Sequence, residues 1–378
     1  MASIKLKGDT SGELTIQAPS VAGTNTLDLP ASSGTLLTTT GNGSQLTGLP
    51  NSYAGTKNRI INGNMAINQR GSGALENGFL VDRFSIGSSQ ASKGSATVQT
   101  ADVPAKFTSA LKYTSSTAYS VLATDYFFVT QKIEGNNIAD LNWGTSNAQT
   151  ITLSFWVKSS LTGTFGGALR NSAFNYNYPY TYTISSADTW EKKSVTITGP
   201  TSGTWLTNNG TGIDVWFSLG MGTTYSDTAG AWTTTVGLGS ATGATSVVGT
   251  SGATWLVTGV QLEVGTTATD FENLQYTTQL QLCQRYYYAT SSAFIAATAT
   301  TLCYNLQFPV TMRATPTETH SYVGVVNDVY NIITAATPTF VPNGNFPINT
   351  GMKFAYDFDA GLTAGQPYQT DFTFSAEL

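Results

Sequence analysis

From the end of an Asn-, Gly- and Arg-rich run at 58–83 through to Val264, apolar and polar positions alternate in short runs. This is the period-two pattern of strands half-buried on a sheet. Thr152–Lys158 (TLSFWVK), Ser194–Thr198, Asp214–Met221 and Trp255–Val264 are the clearest of these runs. In the third, Val215, Phe217, Leu219 and Met221 are predicted to share one face; in the fourth, Leu256, Val260, Leu262 and Val264 do so, with Thr258 between them. Regular spacing with long Gly/Ser/Thr connections predicts two antiparallel sheets packed as a jelly roll.

The pattern changes on either side. Before residue 50 the alternation is sparse (Ile4/Leu6, Leu14/Ile16, Leu27/Leu29) and broken by Gly-, Ser- and Asn-rich turns, so these strands are expected to pair with other chains rather than close a core. Gly41–Gly55 reads as a linker. After the jelly roll, Phe271–Tyr287 is the one convincing helix, with Asp270 available as N-cap. Within it Asn273, Tyr276, Leu280, Cys283 and Tyr287 recur at steps of three and four, the narrow stripe of a coiled-coil seam along which two or three chains could meet, the alternative being a helix docked on its own sandwich. From Ala289 alternation returns (Leu302 to Val310; Phe354, Tyr356, Phe358; Phe372, Phe374, Ala376) and predicts a terminal β-sandwich. The fold class is therefore all-β, with intertwined N-terminal strands, a jelly-roll sandwich, a short coiled-coil-like helix and a C-terminal β-sandwich tip.

Composition supports this reading. The chain of 378 residues is only 10% charged, yet it holds 38 Gly and abundant Thr and Tyr, residues that favour pleated surfaces and turns. A net charge of -5 and a pI near 4.9 leave no basic stripe for a phosphate backbone, so no nucleic-acid partner is expected. No apolar run approaches a membrane span, and MASIKLKGD lacks the core of a secretory signal, so neither membrane insertion nor signal-directed export is expected. Cys283 and Cys303 match no zinc spacing and are expected to be buried free thiols.

Three stretches carry a resemblance. NRIINGNMAINQRGSGALENGFLVDRF at 58–84 resembles the NG, QRG, DR(W/F) segment of bacteriophage tail fibres and minor tail proteins, with Phe84 where Trp is commoner. SGELTIQAPSVAGTNTLDLPASSGTLLT resembles their amino-terminal repeats, and VTGVQLEVG followed by FE and LCQRYY resembles the joint between a jelly roll and a distal tip. The resemblance implies residues 1–57 as a virion-attachment stalk, 58–270 as the jelly roll, 271–288 as a connecting helix and 289–378 as a receptor-binding tip. It also implies a homotrimer made in the host bacterial cytoplasm and resident in the virion tail, with a phage tail or baseplate protein and a bacterial surface polysaccharide as partners. The Asn, Gly and Arg of 58–83 are expected to serve turns and intersubunit packing.

No catalytic residue is expected. His320 is the only histidine and reads as a surface loop residue. The pairs Asp188/Glu191 and Asp357/Asp359 could in principle cleave glycans, the alternative being a tail-associated depolymerase, but carboxylates alternating with aromatics also describe an ordinary solvent face. No cofactor or metal is expected; a calcium held by Asp82 and Asn77 is the one conceivable site, and Asp82 could equally pair with Arg83. Glycan binding is expected at the tip loops, through Tyr322, Asn327, Tyr330, Asn331, Asn343, Asn345 and Phe346, with Pro338, Pro342 and Pro347 stiffening the last of them. A ladder of Tyr176, Tyr178, Tyr180 and Tyr182 is expected to be core, with Tyr176 and Tyr178 near its exposed start as further sugar contacts. A ligand-free structural decoration is the remaining possibility.

Overall fold

The computed structural model describes residues 3–7, 12–17, 56–71, 73–295, 301–322, 325–326, 330–331, 347–348, 351–357 and 367–378. The chain divides into two compact units, Met1–Ser52 and Tyr53–Leu378. In the first, β1 (Ser3–Lys7) and β2 (Glu13–Gln17) pair antiparallel with each other, placing Ile4 opposite Ile16 and Leu6 opposite Leu14.

The second unit begins with the strands of a jelly-roll sandwich. In chain order these are β3 (Gly78–Val81), β4 (Phe84–Ser88), β5 (Gly94–Gln99), β6 (Ala110–Ser115), β7 (Tyr126–Glu134) and β8 (Ile151–Ser159). They continue as β9 (Gly163–Arg170), β10 (Asn177–Ile184), β11 (Glu191–Ile197), β12 (Thr211–Met221), the short pair β13 (Ser226–Asp227) and β14 (Ser240–Ala241), and β15 (Thr254–Val264). A six-stranded sheet, β10-β9-β12-β7-β4-β3, packs on a five-stranded one, β11-β8-β15-β6-β5. Aromatic rings fill the space between them: Phe155 meets Tyr182 and Phe217 edge-on at 5.0 Å each, and the Trp255 indole donates to the Tyr182 hydroxyl at 3.0 Å.

The central strand of each sheet departs from strict alternation in the same way. A register shift between Ser218 and Gly220 turns Met221 to the outer face, although Val215, Phe217 and Leu219 point inward as expected. A second shift, between Thr258 and Gln261, puts Trp255 and Val257 into the core before it and Val260 and Leu262 after it, so Leu256 does not join them. One extra residue in a strand reverses side-chain parity from that point on.

The 58–83 segment seats itself against the second bulge. Gly63 lies so close to the Val260 carbonyl that a Cβ would stand 2.0 Å from its oxygen, and Val260 N donates to Gly63 O at 2.9 Å. Asn58 bonds both sides of that strand, accepting from Leu262 N at 3.0 Å and donating to Val260 O at 3.1 Å. Asn62, in the left-handed region at φ 59°, accepts from Ile67 N and donates to Ile67 O and Asp82 O, closing the turn on itself. The expected turn chemistry is present, and Asn58, Asn62 and Gly63 find these partners within their own chain.

A short helix, α1 (Tyr276–Gln284), the one α-helix among the described residues, follows. It is shorter than 271–287, and the residue before it is Gln275 without a side-chain cap, not Asp270. The C-terminal strands are β16 (Tyr287–Ile295), β17 (Thr301–Gln307), β18 (Thr317–Tyr322), β19 (Val325–Val326), β20 (Tyr330–Asn331), β21 (Pro347–Ile348), β22 (Gly351–Asp357) and β23 (Pro367–Ser375). They form two sheets, β16-β23-β18-β19 with β20 also on β23, and β17-β22-β21. His320, expected in a loop, lies in β18 opposite Phe372.

Arginines join the sandwich to these strands. Arg83, only 2% exposed and at φ 74°, ion-pairs with Glu377, donates to Lys132 O at 2.5 Å and lies 3.6 Å over the Tyr286 ring. Arg70 reaches the same Glu377 at 2.6 Å and lies 3.5 Å over Tyr287. From the other side Arg285 holds the buried Glu134 at 2.6 and 2.9 Å, and the Tyr286 hydroxyl donates to it at 2.7 Å. Burial opposes ionisation of Glu134, but these donors outweigh it and hold the carboxyl below its usual range. Asp82 therefore does not pair with Arg83: it accepts from Gln69 N at 3.1 Å and from the Gln69 amide, with Arg70 at 3.9 Å.

Candidate binding site

The outer face of the six-stranded sheet is assembled by register. Arg170 stands opposite Asp214, and Asp214 opposite Lys132; the next row is Ala168, Trp216, Thr130 and Ser85, and the third is Ser218, Phe128 and Gly87. At Gly87 the missing side chain matters, because a Cβ there would meet the Phe128 ring at 2.3 Å. Phe128 thus lies across the strand and stacks on Trp216 at 3.6 Å. The Arg170 guanidinium lies 3.6 Å over the Trp216 ring, which is left 9% exposed. Trp216 is accordingly a floor, and the walls are the half-buried Tyr126, Phe174, Met221 and Tyr225. Together they enclose a cleft of about 390 Å³, within the range of ligand pockets, roughly 300–1,000 Å³.

Charge under the cleft is internally satisfied. Asp214 is fully buried and accepts from Arg170 at 2.8 Å, from the Trp216 indole at 2.7 Å and from the Thr130 hydroxyl at 2.5 Å. Burial draws the Arg170 guanidinium below its ordinary value, while Asp214 opposes that shift. Arginine nonetheless stays cationic in proteins, so Asp214 leaves no uncompensated guanidinium under the cleft. The surface it supports is apolar and aromatic, edged by the Lys132 ammonium, which donates to Leu378 O at 3.1 Å.

Phe174 is held at φ 56°, a conformation that bulky residues adopt rarely. Its N–H donates to Asn171 O at 3.1 Å, and its carbonyl accepts from Gly237 N at 2.7 Å and from the Asn177 amide at 3.1 Å. The ring also lies 4.2 Å from the Arg170 guanidinium. Strain retained at a cleft wall and fixed by several bonds is the kind of feature that clusters at binding sites.

The residues singled out in the sequence fall in several places. Tyr180 and Tyr182 are buried core, and burial pushes both phenols up. Tyr176 and Tyr178 are half-buried against Trp232, at 5.6 and 5.2 Å, within a cluster that includes Trp143 and Trp205. Asn327, Asn343, Asn345 and Phe346 lie outside the described residues, as do Pro338 and Pro342; Tyr322, Tyr330 and Asn331 lie in β18 and β20. The helical stripe is divided: Asn273 and Tyr276 are exposed and Leu280 half-buried, but Cys283 and Tyr287 are buried within their own chain. Cys283 is a free thiol pushed well up by burial, and Cys303 lies in β17.

The conceivable chemical sites are occupied otherwise. Asn77 accepts from Ser88 while Asp82 is engaged by Gln69, so the two do not share a site. Glu191 accepts from Ser185 N and Ser186 N and pairs with Lys193 at 2.5 Å, acting as a loop clamp; Asp188 is exposed. Asp357 ends β22 and Asp359 lies outside the described residues. No group of three potential metal-ligating side chains occurs, and no helix is long and apolar enough to cross a membrane, among the described residues.

No family model and no curated protein matches the chain. Among solved structures, it is similar to the enzymatically active domain of tailspike protein 4 of bacteriophage CBA120, at 14% identity and TM-score 0.31, over 55% of this chain and 22% of that one. TmCBM61 in complex with β-1,4-galactotriose is similar at 10% identity and TM-score 0.30, over 56% and 100%. The family 11 carbohydrate-binding module of a Clostridium thermocellum cellulosomal cellulase is similar at 11% identity and TM-score 0.28, over 52% and 97%. The match spans about a fifth of the tailspike chain. Likeness at this level assigns no role to any residue.

Proposed function

We propose that the protein is a homotrimeric phage tail fibre component that resides in the virion tail, attaches through residues 1–57 to a tail or baseplate protein, and binds a bacterial surface glycan without cleaving it. The observation that carries glycan recognition is the aromatic cleft over Trp216. Pyranose rings present apolar C–H faces to aromatic walls, and Phe128, Tyr126, Tyr225 and Phe174 supply such walls on a rigid floor. The fibre assignment is supported by the 58–84 signature and the N-terminal repeats. Three copies on one fibre would gain avidity on a dense polysaccharide. Binding rather than cleavage is supported by Asp214, whose oxygens are already taken by Arg170, Trp216 and Thr130.

The test is adsorption of the purified full chain to host cells before and after periodate oxidation of their glycans. Adsorption should be periodate-sensitive and fall about tenfold in Tyr225→Ala, as expected for loss of a central aromatic contact. Periodate-insensitive adsorption would overturn glycan recognition, release of reducing ends would favour a depolymerase, and a monomeric mass in solution would overturn the trimer.

A further inference from the structure

A second aromatic recess lies on the opposite side of the sandwich, on the outer face of the five-stranded sheet. In register, Trp156 stands between Lys192 of β11 and Thr258 of β15, beside the bulge at Gly259. Gly259 adopts φ +62°, and a Cβ on it would lie 2.6 Å from the Phe107 ring and 3.1 Å from Trp156. Only glycine lets these two rings converge there. Phe271 meets Phe107 edge-on at 5.2 Å and closes a third side. The recess holds about 380 Å³, similar in size to the cleft over Trp216, and its rim carries Lys106, Lys192 and Asp270. Lys106 is exposed and held at φ 77°, while Lys192 is exposed and donates to Thr269 O at 3.2 Å.

We infer that this recess is a second saccharide subsite, one that takes a pyranose bearing a carboxylate. The inference rests on the reading of the protein as a glycan binder but concerns a separate set of residues. The half-buried rings of Trp156 and Phe107 offer a surface for the apolar face of a sugar ring. Two ammonium groups against one carboxylate at the rim favour an acidic substituent, because charge-assisted hydrogen bonds are about twice as strong as neutral ones. In the cleft over Trp216 the arginine is neutralised by Asp214 and the one remaining cation of the lining, Lys132, is engaged by Leu378 O, whereas the recess carries two exposed ammonium groups. With one subsite on each side, a single chain could bridge two glycan strands.

Fluorine NMR of the full chain labelled with fluorotryptophan separates the two subsites. The chain has seven tryptophans, and Trp156→Phe and Trp216→Phe assign the two resonances that matter. With methyl glucuronide and methyl glucoside as probes, the Trp156 resonance should shift saturably, at several-fold lower glucuronide concentration than glucoside. Lys106→Ala combined with Lys192→Ala should abolish that difference, and Phe107→Ala should weaken both about tenfold. A Trp156 resonance unmoved by either sugar overturns the subsite, as does one that responds to protein concentration instead, which would mark a second copy covering the recess. Equal response to the two sugars overturns the acidic preference. A moving Trp216 beside a silent Trp156 refutes this subsite alone, whereas silence of both together with periodate-insensitive adsorption refutes the glycan reading as well.

Discussion

Two buried arginines use the same chemistry to different ends. Arg170 and Arg83 each pair with a carboxylate and each lie 3.6 Å over an aromatic ring, Trp216 and Tyr286 respectively. Around Arg170 the neighbouring half-buried rings stand apart and leave a cleft of about 390 Å³; around Arg83 the C-terminal Glu377 and Leu378 pack in and leave a smaller cavity of about 270 Å³ without aromatic walls on both sides. An arginine, carboxylate and aromatic unit is therefore a pin in both places. What lies beside it decides whether the surface is a site or a joint.

The largest expected effect comes from removing the cation of the cleft pin. Arg170→Met strands Asp214, which is 0% exposed, and should lower stability by about 3–5 kcal/mol in urea denaturation. The matching change at the joint, Arg83→Met, should lower it less, by about 1–3 kcal/mol, because Glu377 keeps Arg70 at 2.6 Å. Equal losses would show that the two pins are not distinguished by their carboxylate's remaining partners.

The joint should also respond to acid. Glu134 titrates below its usual range in the folded state, so its contribution is full above the unfolded value of about 4.3 and is lost as pH falls through the depressed folded value. Melting temperatures of the native chain and Glu134→Gln should differ at neutral pH and converge in acid. A constant difference across that range would mean that Arg285 and Tyr286 do not stabilise the ionised form.

Gly259→Ala should cost about 1 kcal/mol or more, since its left-handed backbone and the Phe107 ring both oppose a Cβ. A neutral change by thermal denaturation would show that the bulge tolerates a wider geometry.

Strand positions were readable because alternation is a local property: β8, β11, β12 and β15 lie where the TLSFWVK-type runs place them. Facing was less readable at Met221 and Leu256, because a bulge adds one residue without changing composition, although Gly220 and Gly259 stand at the two irregularities. The cleft was missed because its walls come from β7, β12 and the loops around Phe174 and Tyr225, which only the fold brings together. Its one local sign was the alternation of Asp214, Trp216 and Ser218 opposite the core residues. The helical stripe was legible only in part for a related reason: Cys283 and Tyr287 pack on their own chain while Asn273 and Tyr276 stay exposed, and periodicity alone does not say whose surface a stripe meets.

Phe174→Gly tests the central claim most directly, because glycine relieves the φ of 56° while deleting one wall of the cleft. If the cleft over Trp216 is the glycan site, the variant should keep its melting temperature, with stability changed by no more than about 1 kcal/mol, yet lose about tenfold in periodate-sensitive adsorption to host cells. Undiminished adsorption by a folded Phe174→Gly chain would contradict the account.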